Sequence, residues 1–367
     1  MNQLSNTVRS PVRRQGASRY LLITLLSFAA SVSLTRFFLT LTGYPRLGTG
    51  NLHIAHVLWG GLLLFLAALL PLILANRWVF TIGSVLAGVG AGLFIDEVGK
   101  FITSTNNYFY PPAATIIYVF FLLTVLVYLQ IRRPPSRDPR AAFYRAFDGL
   151  QEVLDHDLDP EEREDLTVQL QSIAEETRNP NLAQLAADLL QFLAHDRLAL
   201  APQRPGLPDR LRATLTRLEG SRLTRNRFRM SLAGGGLGLG VLQLTGLVNV
   251  ALALGTSVRL EQLMSGWILN SFVSSKAALG WFLVRLALEA ASGSILLMAA
   301  VLWILHRDRR AISLNIIGLL LTLAGINLLE FYFDQFAAIL PATVQFGLLL
   351  ATLRYRNKFL APIPAEG

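Results

Sequence analysis

The sequence predicts an all-α integral membrane protein of about eight transmembrane helices, four plus four, separated by a cytoplasmic helical-bundle insert. Three observations carry that expectation. The chain of 367 residues is 53% hydrophobic and only 16% charged, too apolar for a soluble domain of its size. Its apolar residues gather in blocks of about twenty, the helical length that crosses ~30 Å of hydrocarbon. Its basic residues crowd the loops on one side of those blocks and avoid the other, as the positive-inside rule requires.

The apolar blocks run roughly 20–42, 54–75, 78–98, 113–131, 230–254, 278–305, 312–333 and 336–353. In an eight-span scheme, Arg9, Arg13, Arg14, Arg19, Arg77, Arg132, Arg133, Arg137 and Arg140 fall on one side. Arg222, Arg225, Arg227, Arg229, Arg307, Arg309, Arg310, Arg354, Arg356 and Lys358 join them, while the opposite loops hold little beyond Arg46, Arg259 and Lys276. Both termini are therefore expected in the cytoplasm, with the chain in the plasma (inner) membrane. The net charge of +9 is read as this topological signal and not as a nucleic-acid footprint. There is no cysteine, so disulfide frameworks, thiolate nucleophiles and Cys-ligated metals are excluded.

The expected domains follow from these blocks: 1–19, a basic N-terminal segment; 20–132, the first membrane half; 133–228, the insert; 229–354, the second half; and 355–367, a tail. Ala29-Ala30-Ser31 would suit signal cleavage, but the apolar run continues to Leu41, so the first helix is expected to stay. Trp78 and Trp303 are expected at the inner membrane interface and Trp281 at the outer one. Gly234-Gly235-Gly236-Leu237-Gly238-Leu239-Gly240 opens a membrane helix with no strand before it. Its Gly234/Gly238 and Gly236/Gly240 pairs suit close helix packing better than phosphate binding. The stretch 258–272 reads as an amphipathic helix on the outer surface.

The insert breaks the membrane pattern. Asp138-Pro139, Asp159-Pro160 and Asn179-Pro180 each set a capping residue before a proline at the first helical position. Apolar residues then recur at helical spacing, as in Phe143, Phe147, Leu150 and Leu154, predicting three or four helices. Thirteen acids face four arginines between Arg145 and Leu200, so the bundle should stand off an anionic leaflet. It is a spacer or a docking place for a cytoplasmic protein partner. A second copy of the chain is the other protein partner to expect, beside the lipid bilayer itself.

A parallel internal repeat is suggested by Ala91-Gly92 with Glu97 and by Ala324-Gly325 with Glu330, both at an offset of 233 residues. Downstream, Pro112-Ala113 and Pro341-Ala342 follow in turn. Two halves of four spans would enter the membrane in the same direction, as in some transporters.

Charges inside spans cost ~2.5–3.5 kcal/mol near mid-membrane, so those present mark protein-lined or wet positions. All of them fall toward the outer side: Arg36, His53, His56, Asp96, Glu97, Lys100, Arg285, Glu289, Glu330 and Asp334, together with Asn327. Ser84, Gly88, Gly92, Asp96 and Lys100 recur every fourth residue, predicting a small-residue stripe that ends in an Asp/Lys pair. Trp281, Arg285 and Glu289 form a second stripe, and Asn327, Glu330 and Asp334 share a face of the seventh span.

These residues predict an outward-facing polar pocket with Glu97 and Glu330 as titrating carboxylates. Arg36, Lys100 and Arg285 would balance charge or hold an anionic solute. A carrier or channel for a small polar or ionic solute is the leading expectation, and a non-enzymatic role leads over catalysis. No cofactor is required by the residues; a divalent metal such as zinc is the one they would admit, through His53 and His56. That alternative is a metal-dependent hydrolase or transferase at the outer leaflet. The remaining alternative is a non-catalytic scaffold or sensor signalling through residues 133–228.

Overall fold

A computed structural model describes residues 11–43, 55–108, 110–132, 139–155, 157–177, 179–195, 200–201, 224–254 and 276–360. His53 and the stretch 258–272 lie outside the described residues. Among the described residues the chain is helical with no strand, and eight helices are long and apolar enough to cross a membrane. This supports a multi-pass membrane protein. The helices are α1 Ala17–Thr42, α2 His56–Ile73, α3 Trp78–Asp96, the short α4 Val98–Ile102 and α5 Pro111–Ile131. Then come α6 Pro139–Leu154, α7 Pro160–Glu176, α8 Pro180–Leu193, α9 Arg225–Leu254 and α10 Lys276–Ile304. The seventh apolar block is not one regular helix. It divides into α11 Asp308–Leu321, a π-helical turn Thr322–Ile326 and α12 Asn327–Phe333. A 3₁₀ turn, Gln335–Ala338, leads into α13 Ile339–Phe359.

The described residues fall into two compact units, one within Met1–Glu97 and Leu123–Arg210, the other within Val98–Leu122 and Leu211–Gly367. In the first unit, α3 packs against both α1 and α2. Its glycines make that possible. A Cβ on Gly88 would stand 2.6 Å from the Ser27 Cβ of α1, and one on Gly90 would stand 2.9 Å from the Gly60 carbonyl of α2. The Ser31 hydroxyl donates to the Val89 carbonyl at 3.1 Å across the α1–α3 contact. Ser84, Gly88, Gly92 and Asp96 are all buried, so the predicted stripe packs as a seam.

The insert forms three helices among the described residues, with a core of its own around Phe143, Leu158, Leu166, Leu170, Ile173 and Leu193. Asp159 caps α7 through a reciprocal box. Its carboxylate accepts from Glu162 N at 2.8 Å, and its own N–H donates to Glu162 Oε2 at 3.2 Å. Asn179 caps α8 by accepting from Asn181 N at 3.0 Å. The bundle is tied to the arginine-bearing end of the membrane helices. Arg77 pairs with Glu152, and Asn76 donates to both Asp155 oxygens at 3.1 Å. Arg14 stands 3.9 Å from Asp148. Among the described residues the insert helices group with the first three spans.

In the second unit α10 packs against both α9 and α11, and α13 packs against α9 and α11. Gly240 and Gly293 face one another at the α9–α10 crossing, where a Cβ on Gly293 would lie 2.9 Å from the Gly240 carbonyl. Gly236 also meets neighbouring side chains, whereas Gly234 and Gly238 have open space beside them, so only one of the two predicted glycine pairs packs. Trp303 departs from its expected place at the lipid interface. It is fully buried, with its ring edge-on to Tyr355 at a centroid distance of 4.9 Å. Trp78 and Trp281 are exposed. The two sets of helices also pack in different orders, with α3 in the middle of the first and α10 in the middle of the second.

Candidate functional site

Each unit holds a charge cluster at the end of its helices away from the arginine-rich loops. In the first unit, Arg36 comes from the last turns of α1, His56 from the start of α2, and Asp96 and Glu97 from the end of α3. The Arg36 guanidinium donates through Nε to Asp96 Oδ1 and through Nη2 to the Asp96 carbonyl at 2.9 Å. His56 Nε2 lies 3.0 Å from Asp96 Oδ2, and its Nδ1 lies 3.0 Å from Glu97 Oε1. Two ring nitrogens facing two carboxylate oxygens need two protons on those axes. Each ring nitrogen thus has a carboxylate oxygen within hydrogen-bond distance, and Arg36 adds a guanidinium to the same group. The Arg36–Asp96 pair is closed, with side chains 4% and 0% exposed, while His56 keeps 21%.

The second unit holds a different balance. Arg285 on α10 donates to Glu289 Oε1 at 2.6 Å, one helical turn along, and to Asp334 Oδ2 at 2.8 Å. Its Nη2 lies 3.9 Å from Glu330 Oε1. Glu330 Oε2 is buried and has no hydrogen-bond partner among the described residues. One guanidinium thus faces three carboxylates, an excess of two negative charges if all are ionised. The four side chains keep between 14% and 30% of their exposure, so this cluster is more open than the Arg36–Asp96 pair.

The remaining predicted residues separate from these clusters. Lys100 does not continue the α3 stripe, because α3 ends at Asp96 and Lys100 belongs to α4 in the other unit. There its Nζ lies 5.1 Å from the Tyr108 ring centroid. Asn327 is completely buried and turns away from Arg285. Its Nδ2 donates to Gln345 Oε1 at 2.9 Å and to the Tyr118 hydroxyl at 3.4 Å. At 1.5 Å per residue Asn327 lies about 4.5 Å from Glu330 and about 10 Å from Asp334 along the axis, deep enough for different neighbours. Tyr118 in turn donates to the Leu323 carbonyl of the π turn at 2.6 Å.

Several polar groups escaped the sequence reading because they carry no charge. Gln243 donates to Thr322 Oγ1 at 2.9 Å, with Ser292 Oγ 2.8 Å from the same hydroxyl. Asn315 donates to Thr352 at 2.8 Å. Their signal was present as isolated Gln, Asn and Thr residues inside apolar blocks, which must find partners away from lipid. Among the described residues no three His, Cys, Asp or Glu side chains stand as a metal-binding group. Comparison with protein-family models, curated proteins and solved structures found no match.

Proposed function

We propose that the chain is a carrier or channel for a small ionic solute, coupled to protons or to a small cation through the Arg285–Glu289–Glu330–Asp334 cluster. One observation carries the reading: Glu330 stands farthest of the three carboxylates from Arg285 and has an oxygen with no partner. A carboxylate in an apolar setting with surplus negative charge is where a proton or cation relieves the most electrostatic cost. Glu97, its counterpart in the proposed repeat, is held beside His56 and serves in this reading as a structural contact. The orientation follows the arginine bias, with the bundle and both termini in the cytoplasm.

The test is charge movement after a rapid pH or sodium jump on proteoliposomes adsorbed to a solid-supported membrane, which needs no known solute. Wild type should give a transient current that Glu330→Gln abolishes at unchanged expression and reconstitution. Currents of equal size from wild type and Glu330→Gln would end this reading.

The sensor reading draws on a separate observation: the bundle has its own core and is tied to the membrane helices by Arg77, Asn76 and Arg14. In that case a bundle-deleted chain loses its effect in cells, while Glu330→Gln keeps it.

A further inference from the structure

At the opposite end of the second unit, four helix ends converge: the start of α9, the end of α10, the start of α11 and the end of α13. Between them opens a cavity of ≈ 580 Å³ lined by Arg225, His306, Arg307, Asp308, Arg309 and Arg310, with Leu360 at its edge. Four guanidiniums and one carboxylate leave a surplus of three positive charges without counting His306. Topology explains why arginines flank spans on this side. It does not explain their gathering around a concavity, nor two buried groups left incomplete there.

The first is Asp308, only 7% exposed. Its Oδ2 accepts from Arg225 at 2.7 Å and from the Tyr355 hydroxyl at 2.8 Å, which fixes the carboxylate in place. Its Oδ1 is buried with no partner. The second is Arg229, also 7% exposed, standing behind His306. Arg229 Nη2 donates to the Asn226 side chain and to His306 Nε2 at 2.8 Å, its Nε has no partner, and no carboxylate pairs with it among the described residues. Since His306 Nε2 accepts, its Nδ1 carries the proton and donates to the Ile304 carbonyl at 2.8 Å. His306 also has φ 62°, the left-handed region that non-glycine residues adopt only at a cost.

We infer that this cavity binds a phosphate group, and that its source is the headgroup of an anionic lipid of the adjoining leaflet. Guanidiniums match phosphate oxygens as forked donors, and the surplus positive charge selects an anion. The unpartnered Asp308 Oδ1 asks for a donor beside that phosphate, such as a headgroup hydroxyl. Ile304 and Leu305, exposed at 52% and 59% next to the cavity, offer apolar surface to the acyl chains. The inference is independent of solute transport.

The experiment is native mass spectrometry of the full chain in detergent with added phosphatidylglycerol or phosphatidylcholine, with and without inorganic phosphate. One phosphatidylglycerol should be retained per chain in preference to phosphatidylcholine. The exposed pair Arg307→Gln/Arg310→Gln should weaken it about tenfold, roughly 1.4 kcal/mol. Arg356→Gln/Lys358→Gln removes the same charge from exposed positions outside the cavity and should leave retention unchanged. Equal weakening by both pairs, or equal retention of the two lipids, overturns the site. Competition by inorganic phosphate at the same concentration as the lipid keeps the phosphate chemistry but overturns the lipid as its source.

Discussion

Asp96 accepts hydrogen bonds from Arg36 and faces His56 with no exposed surface, whereas Glu330 keeps one oxygen 3.9 Å from Arg285 and the other without a partner. Removing each carboxylate should therefore have opposite consequences. Asp96→Ala takes from the buried Arg36 guanidinium the carboxylate it bonds, a loss of about 3–5 kcal/mol for a broken buried pair. Glu330→Gln takes a negative charge from a cluster with too many, so stability should hold or rise. Thermal midpoints in detergent, read by gel filtration after heating, check both; a Glu330→Gln midpoint as low as that of Asp96→Ala would contradict this division. The sequence showed which residues are charged and at what depth, and the Arg285–Glu289 pair was visible as one helical turn. The choice of Arg36 and His56 as the partners of Asp96 was not, because the pairs are 60 and 40 residues apart and depend on which helices α3 packs against.

Helix boundaries were legible to within about six residues, since a long apolar run bounded by arginine or proline has few other solutions. The caps at Asp159 and Asn179 were equally plain. The π turn Thr322–Ile326 was not, because its composition is that of any membrane helix and only packing exposes the extra residue in the turn. The bundle carries its own pH dependence. Burial raises the Glu152 carboxyl above its ordinary value of 4.5, and Arg77 only partly opposes this while Glu162, Asp157 and Asp155 add to it. Burial raises Glu162 as well, with Asp159 adding to the shift and its backbone N–H opposing it. A carboxyl raised in the folded state binds its proton more tightly there. Its contribution is full below the ordinary value and is lost as pH rises through the raised one. Hydrogen-exchange protection of α6–α8, corrected for intrinsic rates, should thus be higher in mild acid than at neutral pH. Glu152→Gln should flatten that difference; an unchanged slope in the variant would assign it elsewhere.

At the scale of the whole molecule, the order of the chain and the grouping of its contacts do not coincide. Residues 98–122 come from the first half of the sequence but belong to the unit built by the second. Ala114 and Tyr118 pack with Phe331 and Ala338, and the rings of Tyr118 and Phe331 stack at 4.4 Å. No hydropathy pattern contains that exchange, which explains why a division into two halves at the insert was the natural expectation. It also means that a break in the polypeptide between Ala201 and Thr224 would not release two independent pieces. Co-expressed as separate fragments, the N-terminal piece would lend the C-terminal piece a segment that it needs to complete its own interior. The fragments should co-purify through a tag on either one, and Tyr118→Ala should reduce the yield of the pair well before it affects the intact chain. Covalent continuity through the insert is then dispensable for assembly, and the stretch from Val98 to Leu122 acts as the clasp.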